Sequence, residues 1–229
     1  MNKRILTLLS LSLFTASLFS QVNWKALYYV DYLDTLDGLV YTPRTDKPYT
    51  GKVLDLYANG KKMMEGAYKD GLMDEIWTYY YPDGVTKAEG QCLKGEGGNM
   101  HELSGIPQNG RYGEWTIYYP NGNVNAKYQY DVNGIPEGPW LEWYENGQQK
   151  RQYFHKEGKR DQTWTVWWSN GNIKTEGNFK EGLKNGQFTF WFQNGQKKFE
   201  GVCRNDKLFG EWTFYNADGS VEKIKEYTN

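Results

Sequence analysis

The residues of this sequence whose types and spacing could support chemistry are aromatic, and they recur in two rows. The first row lies seven residues before a glycine that follows Asn or Asp, and it contains Trp77, Trp115, Trp140, Trp164, Phe188 and Trp212. The second row comes three residues later and contains Tyr80, Tyr118, Trp143, Trp167, Trp191 and Tyr215. Regularly spaced rings can pack on one another or stack on flat ligands. The second row is therefore the candidate ligand-binding row.

Other chemistry finds little support in the sequence. His101 and His155 have no cysteine or carboxylate at a zinc-site spacing. Glu65, Glu89, Glu176 and Glu200 recur once per unit, each directly before a glycine, without the Asp-x-Asp pattern of a calcium loop. Such glutamates could satisfy turn amides or balance lysines. We predict no catalytic residue, no metal site and no cofactor, and hence no enzyme.

The two cysteines occupy equivalent positions in two different units. Cys92 and Cys203 each follow a unit glycine by two residues, where other units carry Tyr68 or Phe179. They therefore substitute for a packed apolar residue. Four units of two strands separate them by roughly 40 Å, far beyond the reach of a disulfide. The sequence predicts two free, buried thiols.

The two aromatic rows result from a sequence repeat of about 24 residues. Seven Asn-Gly or Asp-Gly pairs end in glycines separated by 24, 38, 25, 24, 24 and 24 residues. Each pair lies between two segments rich in β-forming residues, which is a hairpin signal typical of turns with positive φ at both central residues. We predict an all-β fold, an elongated single-sheet solenoid of about seven consecutive antiparallel β-hairpins, about 65–70 Å long.

Strand alternation places the two aromatic rows on opposite faces of this sheet. Trp164, Val166 and Trp168 share one face, while Thr165 and Trp167 share the other. Two interpretations remain open. In the first, both rows supply the core that the few aliphatic residues do not; in the second, one face exposes its rings to a ligand.

The ends of the chain and one long interval fall outside the repeat. Residues 1–20 resemble a signal peptide, with Lys3 and Arg4 before an apolar run too short to cross a bilayer, and cleavage is expected near Ser20. Residues 21–50 would cap the first hairpin, and residues 51–229 would form the repeat domain. The 38-residue interval contains an insert at residues 91–108, either a tolerated surface loop or a partner contact.

The repeat unit resembles a known family. Tyr57-Ala-Asn-Gly60 and Glu65-Gly-Ala-Tyr-Lys-Asp-Gly71, together with the recurring Gly-x-Trp element, are similar to the bacterial variant of MORN (membrane occupation and recognition nexus) repeats. The resemblance covers about residues 49–223. Tyr128 and Tyr153 depart from it, because they replace the glycine after the Glu position. The resemblance implies a scaffold or interaction surface, and bacterial relatives are often labelled antitoxin-like.

These observations lead to a functional expectation. An exported, periplasmic or secreted, non-enzymatic scaffold that binds an unidentified protein is the leading hypothesis, and an immunity protein fits export better than a cytosolic antitoxin does. The alternative is a cell-surface glycan or peptidoglycan binder that uses the second aromatic row. Without residues 1–20 the net charge would be about −3, which disfavours nucleic acid and anionic lipid as partners. No transmembrane segment is expected in the mature chain.

Overall fold

The computed structural model describes residues 27–29, 33–96 and 106–228, and in these ranges the fold is all-β, with strands and turns but no helix. Fourteen strands, β4 to β17, form one open antiparallel sheet in which each strand pairs with the next along the chain. They make the seven consecutive hairpins that the sequence predicts. The expected signal peptide, residues 1–20, lies outside the described residues.

Seventeen strands are present in the described ranges. Their bounds are β1 Leu27–Tyr29, β2 Asp34–Leu36, β3 Leu39–Tyr41, β4 Gly51–Leu56, β5 Lys62–Lys69, β6 Leu72–Tyr80, β7 Thr86–Gly95, β8 Arg111–Tyr118, β9 Val124–Tyr130, β10 Gly138–Trp143, β11 Gln149–Lys156, β12 Lys159–Trp167, β13 Ile173–Lys180, β14 Leu183–Trp191, β15 Lys197–Arg204, β16 Lys207–Tyr215 and β17 Val221–Tyr227. The short β1 adds to the sheet parallel to β4, and β2 and β3 form a separate hairpin.

The turns that connect the strands differ between the two long sides of the sheet. We call the side with the Asn-Gly and Asp-Gly pairs the Asn-Gly edge. At the edge with the Asn-Gly pairs, only the glycine has positive φ, as at Gly60, whose amide donates to the Tyr57 carbonyl. The primed turn expected there is wrong, because a type I turn followed by a left-handed glycine closes these hairpins. At the opposite edge, the two-residue turns such as Asp70-Gly71 do have positive φ at both positions.

The core lies on one face of the sheet, which we call the core face. Trp77, Trp115, Phe188 and Trp212 are at most 3% exposed there. Each ring lies flat over the glycine of the adjacent strand, so that the sheet and the neighbouring rings together enclose it. The first aromatic row is therefore the core of a sheet that has few aliphatic residues.

The opposite face, which we call the ladder face, carries a continuous row of directly paired residues. Thr or Leu from one strand alternates with Glu, Lys or Gln from the next. The row runs through Leu54, Glu65, Thr78, Glu89, Thr116, Lys127, Leu141, Gln152, Thr165, Glu176, Thr189, Glu200, Thr213 and Ile224. Directly opposed pairs of this kind stabilise a sheet by contact across strands.

Side chains at the Asn-Gly edge connect each hairpin to the next. The hydroxyl of Tyr57 donates to the carbonyl of Tyr80 at 2.7 Å, and Tyr81, Tyr119 and Tyr144 repeat this bond one unit further on each time. The Asn side chain of the turn adds a second bond, as from Asn146 to the Ser169 carbonyl. Neighbouring units are thereby fixed at a constant spacing.

The first units of the core face are covered by other parts of the chain. Leu33, Val40 and Tyr49 enter the same buried cluster as Trp77. Ile106, near the end of the predicted insert, is 2% exposed in that cluster. Strand β7 continues to Gly95, so the first residues of the predicted insert, 91–95, belong to the sheet, and its central residues 97–105 lie outside the described residues.

The last strand has one exposed edge. In β17, Lys223 lies over the Phe214 ring and Lys225 lies over the Tyr227 ring. Its sequence reads Val-Glu-Lys-Ile-Lys-Glu-Tyr, so an antiparallel second copy centred on Ile224 would oppose lysine to lysine and glutamate to glutamate. Like charges that face each other across strands are destabilising, and this arrangement protects the edge from pairing.

Candidate functional site

The six residues of the predicted binding row lie together on the ladder face. Tyr80, Tyr118, Trp143, Trp167, Trp191 and Tyr215 are all half-buried. They occupy every second strand from β6 to β16, so neighbouring members are about 10 Å apart. The structure brings the row together as a line, but its tyrosine and tryptophan members differ in their contacts.

The tyrosine members are bonded to glutamates of the ladder. The hydroxyl of Tyr118 donates to Glu89 at 2.6 Å, that of Tyr215 donates to Glu200 at 2.7 Å, and Tyr80 donates to Glu65 in the same way. Burial together with the neighbouring carboxylate raises the pKa of Tyr118 to about 12. These hydroxyls are already occupied, which indicates a structural role for the tyrosine members.

The tryptophan members are less constrained. The ladder residues that take the place of the tyrosine-bound glutamates are Lys127 for Trp143, Gln152 for Trp167 and Glu176 for Trp191, each paired with the residue two positions before the tryptophan. In the described ranges, none of these three indole N–H groups has a hydrogen-bond partner. Four of the five indoles in the first row differ, because those of Trp77, Trp115, Trp140 and Trp212 each donate to a backbone carbonyl. Three half-exposed rings with free N–H donors therefore line the middle of the ladder face.

The core face changes character along the sheet. In strands β14 to β17 the buried members Phe188, Cys203 and Trp212 are accompanied by Phe190, Phe199, Phe214 and Tyr227, which are only partly buried. All of these residues come from the sheet itself. Leu183 and Leu208 on the same strands are 41% and 38% exposed. These strands thus present an aromatic surface that, within the described residues, no other segment covers.

A shallow cavity of about 180 Å³ lies in this surface, lined by Lys184, Phe188, Phe190, Phe199, Cys203, Leu208, Trp212, Phe214 and Tyr227. We call the surface formed by these residues and Lys225 the open aromatic surface. The Lys184 ammonium lies 5.9 Å from the Phe188 ring centre, and that of Lys225 lies 4.7 Å from the Tyr227 ring centre. Apolar contact area and positive charge are therefore combined at one place.

Histidine and cysteine chemistry is limited in the described residues. His155 is 8% exposed, its Nδ1 has no hydrogen-bond partner, and its ring lies edge-on to Trp140 at 4.6 Å. His101 lies outside the described residues. The prediction for the thiols is confirmed, since Cys92 and Cys203 are both free and buried. Burial raises the pKa of the Cys92 thiol to about 12, so it carries almost no thiolate at neutral pH.

Neither a metal cluster nor a membrane helix occurs in the described ranges. No three His, Cys, Asp or Glu side chains there come together as metal ligands. No helix in these ranges has the length and apolar character that crossing a bilayer requires.

Four segments of the chain match the family described as MORN repeat variant, residues 111–131, 136–157, 160–181 and 210–229. They include strands β8 to β13 and β16 to β17, so each matched segment is one hairpin of the sheet. Among curated protein sequences, none matches the chain. The chain is therefore similar to MORN repeat variants over these units. Repeats of this kind suggest a scaffold for interaction with proteins or membranes, and the bacterial and antitoxin-like parts of the resemblance stay predictions.

Sequence reasoning did not find the open aromatic surface. The first aromatic row looked uniform in sequence, and it indicated a core along the whole sheet. Whether the aromatic residues beside that row, such as Phe190 and Phe214, are covered depends on where residues 33–50 and 106–107 lie, which no local pattern encodes. The lysines were also missed. Lys184, Lys223 and Lys225 can be recognised as cations on an aromatic face only when the face to which each residue belongs is known.

Proposed function

We propose that this chain is an exported, non-enzymatic repeat scaffold that binds a protein partner through the core face of its last strands. The observation that carries this proposal is the difference between the two halves of one face. Tyr79 and Ala88 are at most 4% exposed beneath the chain's own segments, whereas the residues at the equivalent repeat positions in the last strands, Phe190, Phe199 and Phe214, are only partly buried. Exposed aromatic clusters on otherwise polar proteins mark interaction sites.

The cellular role that best fits this proposal is that of an immunity protein in the periplasm or outside the cell. Its support is the sequence of residues 1–20, which resembles an export signal, and the similarity to MORN repeat variants. An antitoxin meets its toxin inside the cell, whereas an exported protein would meet an incoming or secreted toxin. Export itself is tested by determining the N-terminal residue of the protein recovered from culture fractions, for which cleavage near Ser20 is the expected result.

Site-specific photocrosslinking tests the binding role. A photoreactive phenylalanine analogue replaces Leu208 on the open aromatic surface in the full-length protein, which is irradiated in the producing cells. Val132, a turn residue that is 62% exposed, provides the matched control position. We expect a discrete protein adduct from position 208 and none from position 132. The absence of an adduct at 208, or the same adducts at both positions, would contradict the proposal.

Glycan binding by the ladder face is the second candidate, because Trp143, Trp167 and Trp191 offer half-exposed rings with free indole N–H groups at about 10 Å intervals. Pelleting with purified peptidoglycan and insoluble polysaccharides tests it, with Trp167→Ala, Trp191→Ala as the binding variant. Tyr118→Phe, which alters a hydroxyl already bonded to Glu89, is the control. Pelleting that only the tryptophan variant loses supports this candidate, and no pelleting of the unaltered protein excludes it for these polymers.

A further inference from the structure

One segment of the chain covers the core face in the first units and shows which kinds of residue can pack there. The segment Leu33-Asp-Thr-Leu-Asp-Gly-Leu-Val-Tyr41 lies over the first units. Val40 from it is 2% exposed, and the Val40 amide donates to the Gly71 carbonyl at 2.9 Å. Its sequence contains Asp34 and Asp37 and no cation, and Asp37 is exposed in the turn of the β2–β3 hairpin. An apolar hairpin of negative charge therefore covers this face in the first units.

The open aromatic surface has the charge that such an occupant would meet. Lys184 and Lys225 lie over its rings, and neither forms an ion pair in the described residues. Lys223 adds a third cation, although its ammonium also pairs with Glu222 at 2.9 Å. Lys184 on β14 and the two lysines on β17 thus place positive charge at both ends of the open aromatic surface.

Strand alternation keeps most carboxylates of these strands off the core face. Glu176 and Glu200 belong to the ladder, and Glu211 and Glu226, which pair with each other, lie on the ladder face of β16 and β17. Glu222 lies at the bulge of β17, and its carboxylate pairs with the Lys223 ammonium. The remaining carboxylates between residues 173 and 227, at positions 181, 206 and 218, are in turns. Over these strands the core face is cationic and aromatic, while the ladder face is acidic.

We propose that the open aromatic surface binds an acidic, apolar segment of the partner protein, with apolar side chains packed on Phe190, Phe199 and Phe214 and carboxylates beside Lys184 and Lys225. This inference rests on the proposed scaffold function and adds the chemistry of the partner. Rings supply the contact area, because aromatic residues dominate interface energetics. Lysines select an acidic partner and exclude a basic one, since opposite charges steer association and like charges oppose it.

A labelled peptide with the sequence of residues 33–41 is the probe, and its binding to the full-length protein is followed by fluorescence anisotropy. The test variant is Lys184→Glu, Lys225→Glu. The control variant is Lys174→Glu, Lys198→Glu, which makes the same change in net charge at two lysines that also lie over rings, those of Trp168 and Phe192 at the Asn-Gly edge. Thermal melts establish that both variants fold.

We expect saturable binding that the test variant weakens by roughly tenfold and the control variant leaves unchanged. A peptide with Asp34→Asn and Asp37→Asn should bind more weakly to the unaltered protein, and moderate salt should weaken binding of the acidic peptide. Hydrogen exchange should slow in β14 to β17 on binding. No saturable binding, equal binding by both variants, or protection confined to β4 to β8 would overturn the inference.

Two further outcomes distinguish this inference from the proposed function. If the adduct at position 208 persists in the Lys184→Glu, Lys225→Glu background, a partner binds but the acidic chemistry is wrong. If light scattering detects a dimer that the same substitutions dissociate, a second copy of this chain is the occupant, and the inference of a separate partner is overturned.

Discussion

A β-carbon built on Gly177 would lie 2.2 Å from the ring of Phe188, which is 1% exposed on the neighbouring strand. The same relation holds between Gly66 and Trp77, Gly90 and Trp115, and Gly201 and Trp212. Because no β-carbon fits at that distance, the glycine is what allows the ring to lie flat on the sheet. Where Tyr128 and Tyr153 replace the glycine, Trp140 and Trp164 are only partly buried.

The first prediction concerns the packing of the Phe188 ring on Gly177. Gly177→Ala should lower the free energy of unfolding by about 2–3 kcal/mol, because the added methyl group displaces a packed ring. The control is Gly122→Ala, where nothing lies within 4 Å of the added atom but φ is +84°. Its cost should be about 1 kcal/mol, from backbone strain alone. Urea unfolding measures both, and equal losses would contradict the steric explanation.

The second prediction concerns a residue in the left-handed region two positions before each core ring. Glycine fills this place at Gly113, Gly138, Gly186 and Gly210, whereas Glu75 and Gln162 occupy it with φ +61° each. Gln162→Gly should stabilise the protein by roughly 0.5–1 kcal/mol, because it relieves that strain.

The matched opposite change is Gly210→Gln, at a position with φ +68° and nothing within 4 Å of an added β-carbon. It should destabilise the protein by a similar amount in the same unfolding experiment. Two changes of the same sign would show that backbone strain is not the dominant effect.

The third prediction concerns Tyr215 and Glu200, whose 2.7 Å hydrogen bond connects β15 to β16. A double-mutant cycle with Tyr215→Phe and Glu200→Gln should give a coupling of about 1 kcal/mol, the usual size for a hydrogen bond to a charged group at a partly exposed site. The equivalent cycle with Trp191→Phe and Glu176→Gln should give a coupling near zero, since that pair has no such bond. Similar couplings in both cycles would refute the assignment.

This coupling should also depend on pH. Burial raises the pKa of Glu200, but the hydrogen bonds from Lys197 and Tyr215 outweigh it, and the pKa is lowered below 4.5. A lowered carboxyl pKa stabilises the folded state above the unfolded value, and this stabilisation is lost as the pH falls through the folded value. The coupling should therefore be constant above about pH 5 and diminish in more acidic solution.

The fourth prediction concerns His155. Burial, and then the positive charge of Arg160, lower its pKa below 6.5, while Glu137 acts in the opposite direction. The unfolded chain therefore binds a proton more readily than the folded protein, and stability should fall as the pH drops below 6.5. The melting temperature should decrease by a few degrees, roughly, between pH 7.5 and 5.

The comparison for this effect is His155→Phe, which keeps an aromatic ring beside Trp140 but cannot take up a proton. Its melting temperature should vary less over the same pH range. If both proteins lose the same number of degrees, another group is responsible for the pH dependence.

Much of the architecture was predictable from the sequence because it is locally encoded. Each Asn-Gly pair lies between two β-forming segments, and the pattern recurs seven times, so strand order and antiparallel pairing follow from chain continuity alone. The burial of Cys92 and Cys203 was predictable for the same reason, since a repeat places equivalent positions in equivalent surroundings. The turn type at Gly60 was not predictable, because the Asn-Gly dipeptide occurs in both two-residue and three-residue loops.

The candidate sites were predictable only in part. The row from Tyr80 to Tyr215 could be placed on one face by alternation, yet its division into bonded tyrosines and free tryptophans depends on partners about 15 or more residues away, such as Glu89 for Tyr118. Pairings of that kind are fixed by the registers of the strands, which bulges shift in most units.

The repeat period and the turn residues act over short distances, so they already specify a sheet of repeated hairpins with aromatic rows. Only the tertiary structure decided which rings are covered. Coverage depends on where Leu33, Val40 and Ile106 lie after folding, and those contacts join segments that are distant in sequence. Lys184 and Lys225 each lie over a ring of their own strand, but these rings are exposed only because the distant segments cover the other end of the face.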